Sequence, residues 1–304
     1  MSGEQKKVKK VAMQGWPGAN HDIAIRAFYS NYDVETVSCV SFDELFDKID
    51  RDRSLEGIVA IENTLVGSIL ANYTLLKDSG LQVLGEHKLR IKHQFMVLPG
   101  QTMSDIREVH SHPMALAQCH SFLRQYPHVK LIETEDTALS AKLITDNQTE
   151  GVGAIASSLA SKLYGLEVIG KNIETNKHNY TRFLIVGTPD KEKQTRRIED
   201  GLFNKSSLVF SLPHEEGSLS KILTILTFYN INLTKIQSLP IIGSEWEYLF
   251  YIDVMFHNYD RYIQSLNAIR PLCRKLRELG VYRGADVLYE TNGGENVKNV
   301  NAIS

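Results

Sequence analysis

The 304-residue chain has few cysteines, almost no net charge and no long apolar segment. Its three cysteines, Cys39, Cys119 and Cys273, are too few and too far apart for a disulfide framework or a cysteine metal site. A formal net charge of −2 gives no general attraction to nucleic acid or to an anionic membrane. No run reaches the ~20 apolar residues of a membrane-spanning helix, and no apolar signal core follows the basic N-terminus. These features predict a soluble cytoplasmic protein that binds neither nucleic acid nor membrane.

The sequence also lacks the spacing patterns of common catalytic centres. Its histidines form no His-x-x-x-His pair, and no Ser-His-Asp arrangement can be assembled. The turn from Gly15 to Gly18 contains two glycines, which falls short of a dinucleotide-binding fingerprint. The chain therefore favours a site built from hydrogen-bonding groups, with no metal.

Residues 8–187 alternate short apolar strands with amphipathic helices. The run 58–61 is apolar throughout, as in strands that helices cover on both faces. An extended stretch, residues 83–98, is predicted to pass as one strand between two lobes. Pro113 suits the first turn of a helix that runs to about residue 126, because its missing N–H needs no partner there. This order predicts an open α/β sheet in two lobes with a cleft between them.

Residues 206–290 read strand, helix, strand, strand, helix, strand, which is the ferredoxin-like pattern. In this unit we predict a helix over residues 262–279, kinked near Pro271, and a last strand over residues 281–289. The pattern predicts a second, compact unit of its own.

Two segments flank that unit. Residues 188–205 are crowded with charge and show almost no apolar periodicity, which is typical of a solvated linker. Residues 291–304 form a polar tail.

Polar residues interrupt the apolar segments where strands begin or end. Thr181 and Arg182 place a hydroxyl beside a guanidinium directly before the apolar strand 184–186. Glu62 and Asn63 follow a buried strand, at the edge where open α/β sheets bind ligands. Asn63 could instead cap a turn, as asparagine often does. The two pairs together favour a site for an anionic ligand.

Ser111 and Gln118 are two helical turns apart, so their side chains share a face if a helix begins at His112. Ser111 would then lie beside the free N–H groups of the first turn, which favour a carboxylate. An ordinary serine cap and a solvated glutamine would explain the same pattern.

Four motifs at compatible spacing resemble those of prephenate dehydratases. They are G-W-P-G at 15–18, I-E-N-T-L-V-G-S at 61–68, S-H-P-M-A-L-A-Q-C at 111–119 and N-Y-T-R-F at 179–183. The stretch N-L-T-K-I-Q-S-L-P at 232–240 resembles the effector motif of ACT regulatory domains. The likeness covers about residues 8–290. It implies a two-lobed, periplasmic-binding-protein-like catalytic region over 8–187 and an ACT domain over 206–290.

The resemblance implies decarboxylating dehydration of prephenate to phenylpyruvate, water and carbon dioxide in phenylalanine biosynthesis. Because loss of the carboxylate and the ring hydroxyl leaves an aromatic ring, the reaction needs no metal or redox cofactor. An arogenate dehydratase would carry out the same elimination on a substrate with an amino group, and one sequence does not distinguish the two. A non-catalytic amino-acid sensor is the alternative of another class.

The resemblance also assigns roles to the polar residues. Thr181 is the implied donor to the departing hydroxyl. Arg182 would bind a substrate carboxylate or else anchor the lobe interface, and Glu62 would support the site or provide a proton path. The implied positioning and substrate-binding residues are Asn63, Ser111, Gln118, Phe183, Asn20 and Ser68.

After the glycine turn the chain departs from the family. Ala19, Asn20 and His21 stand where the family has Thr, Phe or Tyr, and Ser, so a hydroxyl contact is missing. Asn20 and His21 are the candidates to replace it.

Phenylalanine is the implied effector, bound between ACT domains of a homodimer or homotetramer. Gln237 and Leu239 stand where the family's effector motif has Glu and Arg, so both charges of that motif are absent. The implied effector-binding residues are Gly217, Ser218, Leu219, Asn232, Leu233, Gln237, Ser238 and Pro240.

Overall fold

Strands and helices alternate through most of the computed structural model, which describes residues 6–241, 243 and 247–285. The strands are β1 (Val8–Gln14), β2 (Asp33–Cys39), β3 (Glu56–Asn63), β4 (Gly67–Ser68), β5 (Gln82–Arg90), β6 (Gln94–Val97), β7 (Glu108–Ser111), β8 (Lys130–Glu133), β9 (Val152–Ala156), β10 (Glu167–Gly170), β11 (Tyr180–Gly187), β12 (Lys205–Ser211), β13 (Asn232–Pro240), β14 (Tyr248–Met255) and β15 (Lys275–Tyr282). The α-helices are α1 (Asn20–Phe28), α2 (Phe42–Arg51), α3 (Leu70–Asp78), α4 (Pro113–Gln118), α5 (His120–Leu123), α6 (Thr137–Asn147), α7 (Ser158–Tyr164), α8 (Lys191–Glu199), α9 (Ser218–Phe228) and α10 (Tyr259–Ile269). This is a mixed α/β fold, as the sequence predicts.

The first sheet runs in the order β2-β1-β3-β11-β5, with β4 paired to β3. Strands β1, β2 and β3 are parallel, whereas β11 lies antiparallel between β3 and β5. Helices α1, α2 and α3 contact this sheet, and its strands β3 and β11 are largely buried, with apolar runs over residues 57–61 and 183–187. Their register sets Thr181 opposite Asn63 and Arg182 opposite Glu62. Two of the predicted polar pairs therefore meet at one end of adjacent strands.

The second sheet runs in the order β10-β6-β9-β7-β8. The chain enters it through the extended stretch 83–98, which was predicted to be one strand. It is two strands in different sheets: β5 belongs to the first sheet and β6 to the second. The chain breaks between them at residues 91–93, where Ile91 still bonds to the carbonyl of Asn179 and the backbone N–H of His93 donates to Glu174.

The third sheet is antiparallel in the order β13-β14-β12-β15, and α9 and α10 pack on it. The predicted helix over residues 262–279 is wrong in its second half. Helix α10 ends at Ile269, and after a 3₁₀ turn at Arg270–Leu272 the chain forms strand β15, paired with β12. Pro271 has no N–H to continue the helix, and seven residues of β15 paired with β12 outweigh helix propensity. The predicted last strand over residues 281–289 therefore begins earlier, and its residues after 285 lie outside the described part.

Helix α8 lies in the segment 188–205, for which the sequence predicted only a solvated linker. None of its residues is buried. Asp190 caps it by accepting from the N–H of Lys193, and Arg196 and Arg197 lie in its last turn. Capping and favourable charges at the last turn stabilise a helix without an apolar face, which is why periodicity did not reveal it.

The turn at residues 15–18 joins the first sheet to the helices of the second. Ser157 donates to the carbonyl of Gly18 at 2.5 Å, and Tyr164 donates to the carbonyl of Pro17 at 2.7 Å. Gly18 has φ = +90°, and a Cβ there would lie 2.8 Å from the Cα of Ala160. Only glycine allows this backbone contact, because real Cβ atoms do not approach so closely.

We expect Gly18→Ala to destabilise the protein by about 2–5 kcal/mol, the sum of the cost of a positive φ and of overpacking. Urea unfolding monitored by circular dichroism would measure the loss. Gly80→Ala is the matched control, because Gly80 also has a positive φ but a Cβ added there would have nothing within 4 Å. Equal losses for the two variants would contradict a tight contact at Gly18.

Over residues 6–241, 243 and 247–285, no helix is long and apolar enough to cross a bilayer. Within the same residues, no group of three or more His, Cys, Asp and Glu side chains is arranged to hold a metal ion.

Candidate active site

Thr181 and Asn63 form the centre of the candidate site. They face each other across the β3–β11 pair, and the Nδ2 atom of Asn63 donates to the Oγ1 atom of Thr181 at 2.9 Å. Each side chain is only 8% exposed. A hydrogen bond shielded from water in this way is stronger than the same bond at the surface.

Asn63 has a defined amide orientation. Its Oδ1 atom accepts from the backbone N–H groups of Leu65 and Val66 at 2.9 and 3.2 Å. Because backbone N–H groups can only donate, the Nδ2 group must face Thr181. Thr181 Oγ1 is then an acceptor from Asn63, which leaves its own hydrogen available for donation to a ligand. Asn63 thus caps a turn and also orients Thr181, which combines the two roles that its sequence position allowed.

The amide orientation continues through two further residues. Asn63 Nδ2 also donates to Asn179 Oδ1 at 2.8 Å, so Asn179 Nδ2 faces Gln118 and donates to its Oε1 atom at 2.9 Å. We call Asn63, Asn179 and Gln118 the amide relay. Its order leaves the Nε2 group of Gln118 without a hydrogen-bond partner among the described residues. The relay therefore orients two donors, the O–H of Thr181 and the Nε2 group of its own Gln118. Two such donors suit an anionic ligand.

His93 closes the far end of the amide relay. Its Nε2 atom lies 2.9 Å from Gln118 Oε1. Since that oxygen is an acceptor, the Nε2 atom carries the proton. Burial lowers the pKa of His93, against the opposing effect of its bond to Gln118, so the ring is neutral near pH 7. Its role is to hold the glutamine amide.

Two of these residues, the relay member Asn179 and its neighbour His93, were not among the predicted site residues. Asn179 is wholly buried and is the first residue of the quoted N-Y-T-R-F motif, so the motif contained the signal. His93 had no comparable signal, because its partner Gln118 is distant in the sequence.

Ser111 has a hydrogen-bond partner outside the amide relay. It is the last residue of β7, it is wholly buried, and its hydroxyl donates to the carbonyl of Ile155 at 2.6 Å. The N-cap of α4 is His112, whose Nδ1 atom accepts from the N–H of Met114. The predicted longer helix is broken at Cys119 into α4 and α5. The Ser111 hydroxyl is thus engaged by a backbone carbonyl, and its contact with a ligand carboxylate stays a prediction.

Arg182 and Glu62 point toward the third sheet. Neighbouring residues of a strand face opposite sides, so Arg182 lies on the other side of β11 from Thr181. Its guanidinium bonds Glu86 and Asp253, and Glu62 lies 3.0 Å from Lys235. The structure therefore shows Arg182 as an anchor to the third sheet, which is not the lobe-interface anchor expected for it. Its guanidinium is bound by protein carboxylates, which does not favour the expected contact with a substrate carboxylate.

The three predicted substrate-binding residues have separate surroundings. Phe183 is 1% exposed and packs in the core of the first sheet, so its expected substrate contact finds no support in this packing and stays a prediction. Ser68 accepts from Lys235 at 2.8 Å and so lies at the third sheet, not at the amide relay. Asn20 is partly buried at the first position of α1.

His21 packs edge-on against Phe183, with ring centroids 5.0 Å apart. Its Nε2 atom is buried without a hydrogen-bond partner among the described residues. Burial lowers the pKa of His21 to about 4, so the ring is neutral at pH 7. His21 therefore packs as a neutral ring among apolar side chains, against Phe42 and Phe183.

The predicted effector residues lie at the start of helix α9 and on strand β13 of the third sheet. Gly217 is the N-cap of α9, with φ = +74°, and Ser218 and Leu219 open that helix. The others lie on β13, an edge strand of the third sheet. They are Asn232, Leu233, Gln237, Ser238 and Pro240. Gln237 donates to the carbonyl of Ser238 at 3.1 Å.

Two solved structures share this fold. One is described as "GqqA- a novel type of quorum quenching acylases"; it is 28% identical, has a TM-score of 0.79 and aligns over 91% of this chain and 99% of its own. The other is a prephenate dehydratase from Arthrobacter aurescens in complex with L-Phe; it is 24% identical, has a TM-score of 0.76 and aligns over 90% of both chains.

Sequence comparison identifies the family. The chain is 37% identical over 283 residues to "Arogenate dehydratase/prephenate dehydratase 2, chloroplastic" of Arabidopsis thaliana, over 90% of this chain and 72% of that protein. Residues 11–191 match the family model described as prephenate dehydratase. The resemblance seen in the motifs is thus confirmed, and this chain belongs to the prephenate dehydratase family of enzymes.

Proposed function

We propose that the protein converts prephenate to phenylpyruvate, water and carbon dioxide. In this reaction the C–C bond to the ring carboxylate breaks, and its electron pair enters the ring. The C–O bond of the ring hydroxyl breaks at the opposite carbon, and the departing hydroxide becomes water by gaining a proton. The enzyme must therefore hold a dianion and stabilise negative charge on the leaving oxygen.

The observation that carries this proposal is the orientation of Thr181. Its oxygen accepts from Asn63, so its hydrogen is available to the leaving hydroxyl. A threonine hydroxyl is too weak an acid to transfer its proton fully, so it acts through a hydrogen bond that strengthens in the transition state. Gln118 Nε2 supplies a second donor for a substrate carboxylate, and Asn63 and Asn179 keep both donors oriented.

The same contacts disfavour Thr181 as the nucleophile of an acyl transfer, the reaction type that the acylase description names. Such a mechanism needs a hydroxyl activated by an adjacent base. The Thr181 hydroxyl is instead bonded to an amide N–H of Asn63, which cannot accept its proton.

Arogenate is the second candidate substrate, because the Arabidopsis relative carries both names. The elimination is the same, and only the side-chain amino or keto group differs. Contacts to that group would set the preference, and the donors of the amide relay would serve either substrate.

We assign residues 8–187 to a two-lobed catalytic region, 188–205 to a connecting segment and 206–290 to an ACT domain. The strand and helix order of the third sheet supports the last assignment. We further propose that phenylalanine binds where α9 begins beside β13, with its carboxylate on N–H groups near Ser218. Two chains in a homodimer or homotetramer would complete this site.

The test is to incubate the purified protein with prephenate and, separately, with arogenate, and to measure phenylpyruvate and phenylalanine. We expect turnover of prephenate, and the ratio of the two kcat/KM values gives the preference. Absence of turnover of both substrates by folded protein would reject the enzyme and favour an amino-acid sensor. Calorimetry without a heat signal at millimolar phenylalanine would reject the effector site alone.

A further inference from the structure

A cluster of buried charges joins strand β11 to the third sheet. Arg182 donates through Nε to Glu86 at 2.6 Å, through Nη1 to Asp253 at 2.5 Å and through Nη2 to the Tyr282 hydroxyl at 3.1 Å. Lys205 donates to both carboxylate oxygens of Glu86, at 2.9 and 2.8 Å. We call Arg182, Glu86, Lys205 and Asp253 the interface cluster. Two of its members belong to the first sheet and two to the third.

The interface cluster is neutral as a whole and is closed to water. Its members are between 1% and 8% exposed, and two cations balance two anions. The Ser207 hydroxyl donates to Asp253 Oδ1 at 2.5 Å, so both carboxylate oxygens of Asp253 have a hydrogen-bond donor. The Ser207 hydroxyl also lies 2.7 Å from the Tyr282 hydroxyl. Burial disfavours the charged form of Arg182, but Asp253 and the other neighbours outweigh it and raise its pKa. The guanidinium is thus fully engaged by protein groups.

The position of Arg182 next to Thr181 links this cluster to the amide relay. The two residues are adjacent on β11 and face opposite sides of the sheet. One is held by Asn63, and the other by Asp253 and Glu86. The contacts of the guanidinium therefore help to fix the segment of β11 that carries the Thr181 hydroxyl. A displacement of about 1 Å at a reacting group can cost a hundredfold in rate.

We propose that Asp253 and Lys205 of the third sheet are positioning residues for Thr181, acting through Arg182 and Glu86. Neither residue touches the candidate site itself. The inference rests on the proposed role of Thr181 in the dehydration. Under this proposal, the rate of turnover depends on how the third sheet packs against the first. The third sheet then influences the Thr181 hydroxyl through its contacts with Arg182 and Glu86.

The test compares Asp253→Asn, Arg182→Gln and the double variant with the unaltered protein in prephenate turnover. We expect Asp253→Asn to lower kcat by about ten- to a hundredfold with KM nearly unchanged, because positioning acts on the transition state. In the Arg182→Gln background the same change should have no further effect, because both act through one contact. Asp260→Asn, an exposed aspartate on α10, is the matched control and should leave kcat unchanged.

Three results would overturn the proposal. They are an unchanged kcat in folded Asp253→Asn, effects of the two single changes that multiply in the double variant, and a raised KM with full kcat in Arg182→Gln. The last would indicate that Arg182 contacts substrate. Turnover by the unaltered protein tests the proposed function, whereas the ratios between variants test the interface cluster, so the two can fail separately.

Tyr282→Phe keeps the proposal testable if loss of the Asp253 charge prevents folding. It removes one hydroxyl contact to Arg182 and changes no charge. We expect a severalfold fall in kcat and faster hydrogen exchange in peptides covering β11. Unchanged kcat together with unchanged exchange at β11 would overturn the proposal.

Discussion

Replacing Thr181 by valine is expected to lower kcat for prephenate by roughly a hundredfold or more, as loss of one preorganised donor does. Valine has the same shape but lacks the hydroxyl that Asn63 orients. Asn63 Nδ2 keeps its bond to Asn179, so the amide relay should survive the change. Steady-state kinetics on protein with an unaltered circular dichroism spectrum would measure the effect.

Two variants control for this result. Thr36→Val makes the same change on β2 of the same sheet and should leave kcat unaltered. Thr181→Ser keeps the hydroxyl and should retain much of the activity. Near-normal turnover by folded Thr181→Val would reject Thr181 as the donor to the leaving group.

Replacing Glu86 by glutamine is expected to cost about 3–5 kcal/mol of the free energy of unfolding at pH 7, as breaking a buried ion pair does. The variant leaves Arg182 and Lys205 buried with Asp253 as the one buried anion of the interface cluster, while Glu62, 3.9 Å from Arg182, is partly exposed. Urea unfolding at pH 7 measures the loss. Glu133→Gln on the exposed end of β8 is the matched control, with an expected change within about 0.5 kcal/mol.

The loss in Glu86→Gln should depend on pH. Burial alone would raise the pKa of Glu86, but Arg182 and Lys205 outweigh it and lower the pKa from 4.5 to about 2. A depressed pKa stabilises the folded state above the unfolded value and loses that contribution as the pH falls toward the folded value. The difference between the two proteins should therefore shrink between about pH 5 and pH 2. A difference that stays constant over this range would contradict the ion pairs.

Much of the fold could be predicted from local sequence patterns, namely apolar runs and the alternation of strands and helices. The apolar run in β3 and the alternation of strands and helices reflect burial on both faces of a central sheet. The prediction failed where tertiary pairing overrode local preference, as in β15, and where capping and charge stabilised a helix without an apolar face, as in α8. It also failed at residues 83–98 and in the helix after Pro113, where the chain breaks one predicted element into two.

The candidate site was predicted in part for the same reason. Thr181, Asn63 and Gln118 are joined through the amide relay, and their polar character at element ends was visible in the sequence. Ser111 and Phe183 have equally suggestive positions, yet their side chains are engaged in the interior. A motif names the residues but does not show which way each side chain points.

The sequence by itself determined the family, the order of strands and helices, and the presence of Thr181 at the start of a buried strand. Only the tertiary structure decided that Arg182 forms an ion pair with the third sheet. Its partner Asp253 is 71 residues away in the chain, and Asn63 is 118 residues from Thr181. Hydrophobic periodicity reports on neighbours along one helix or strand, whereas these partners are chosen by strand pairing and by the need to neutralise charge on burial.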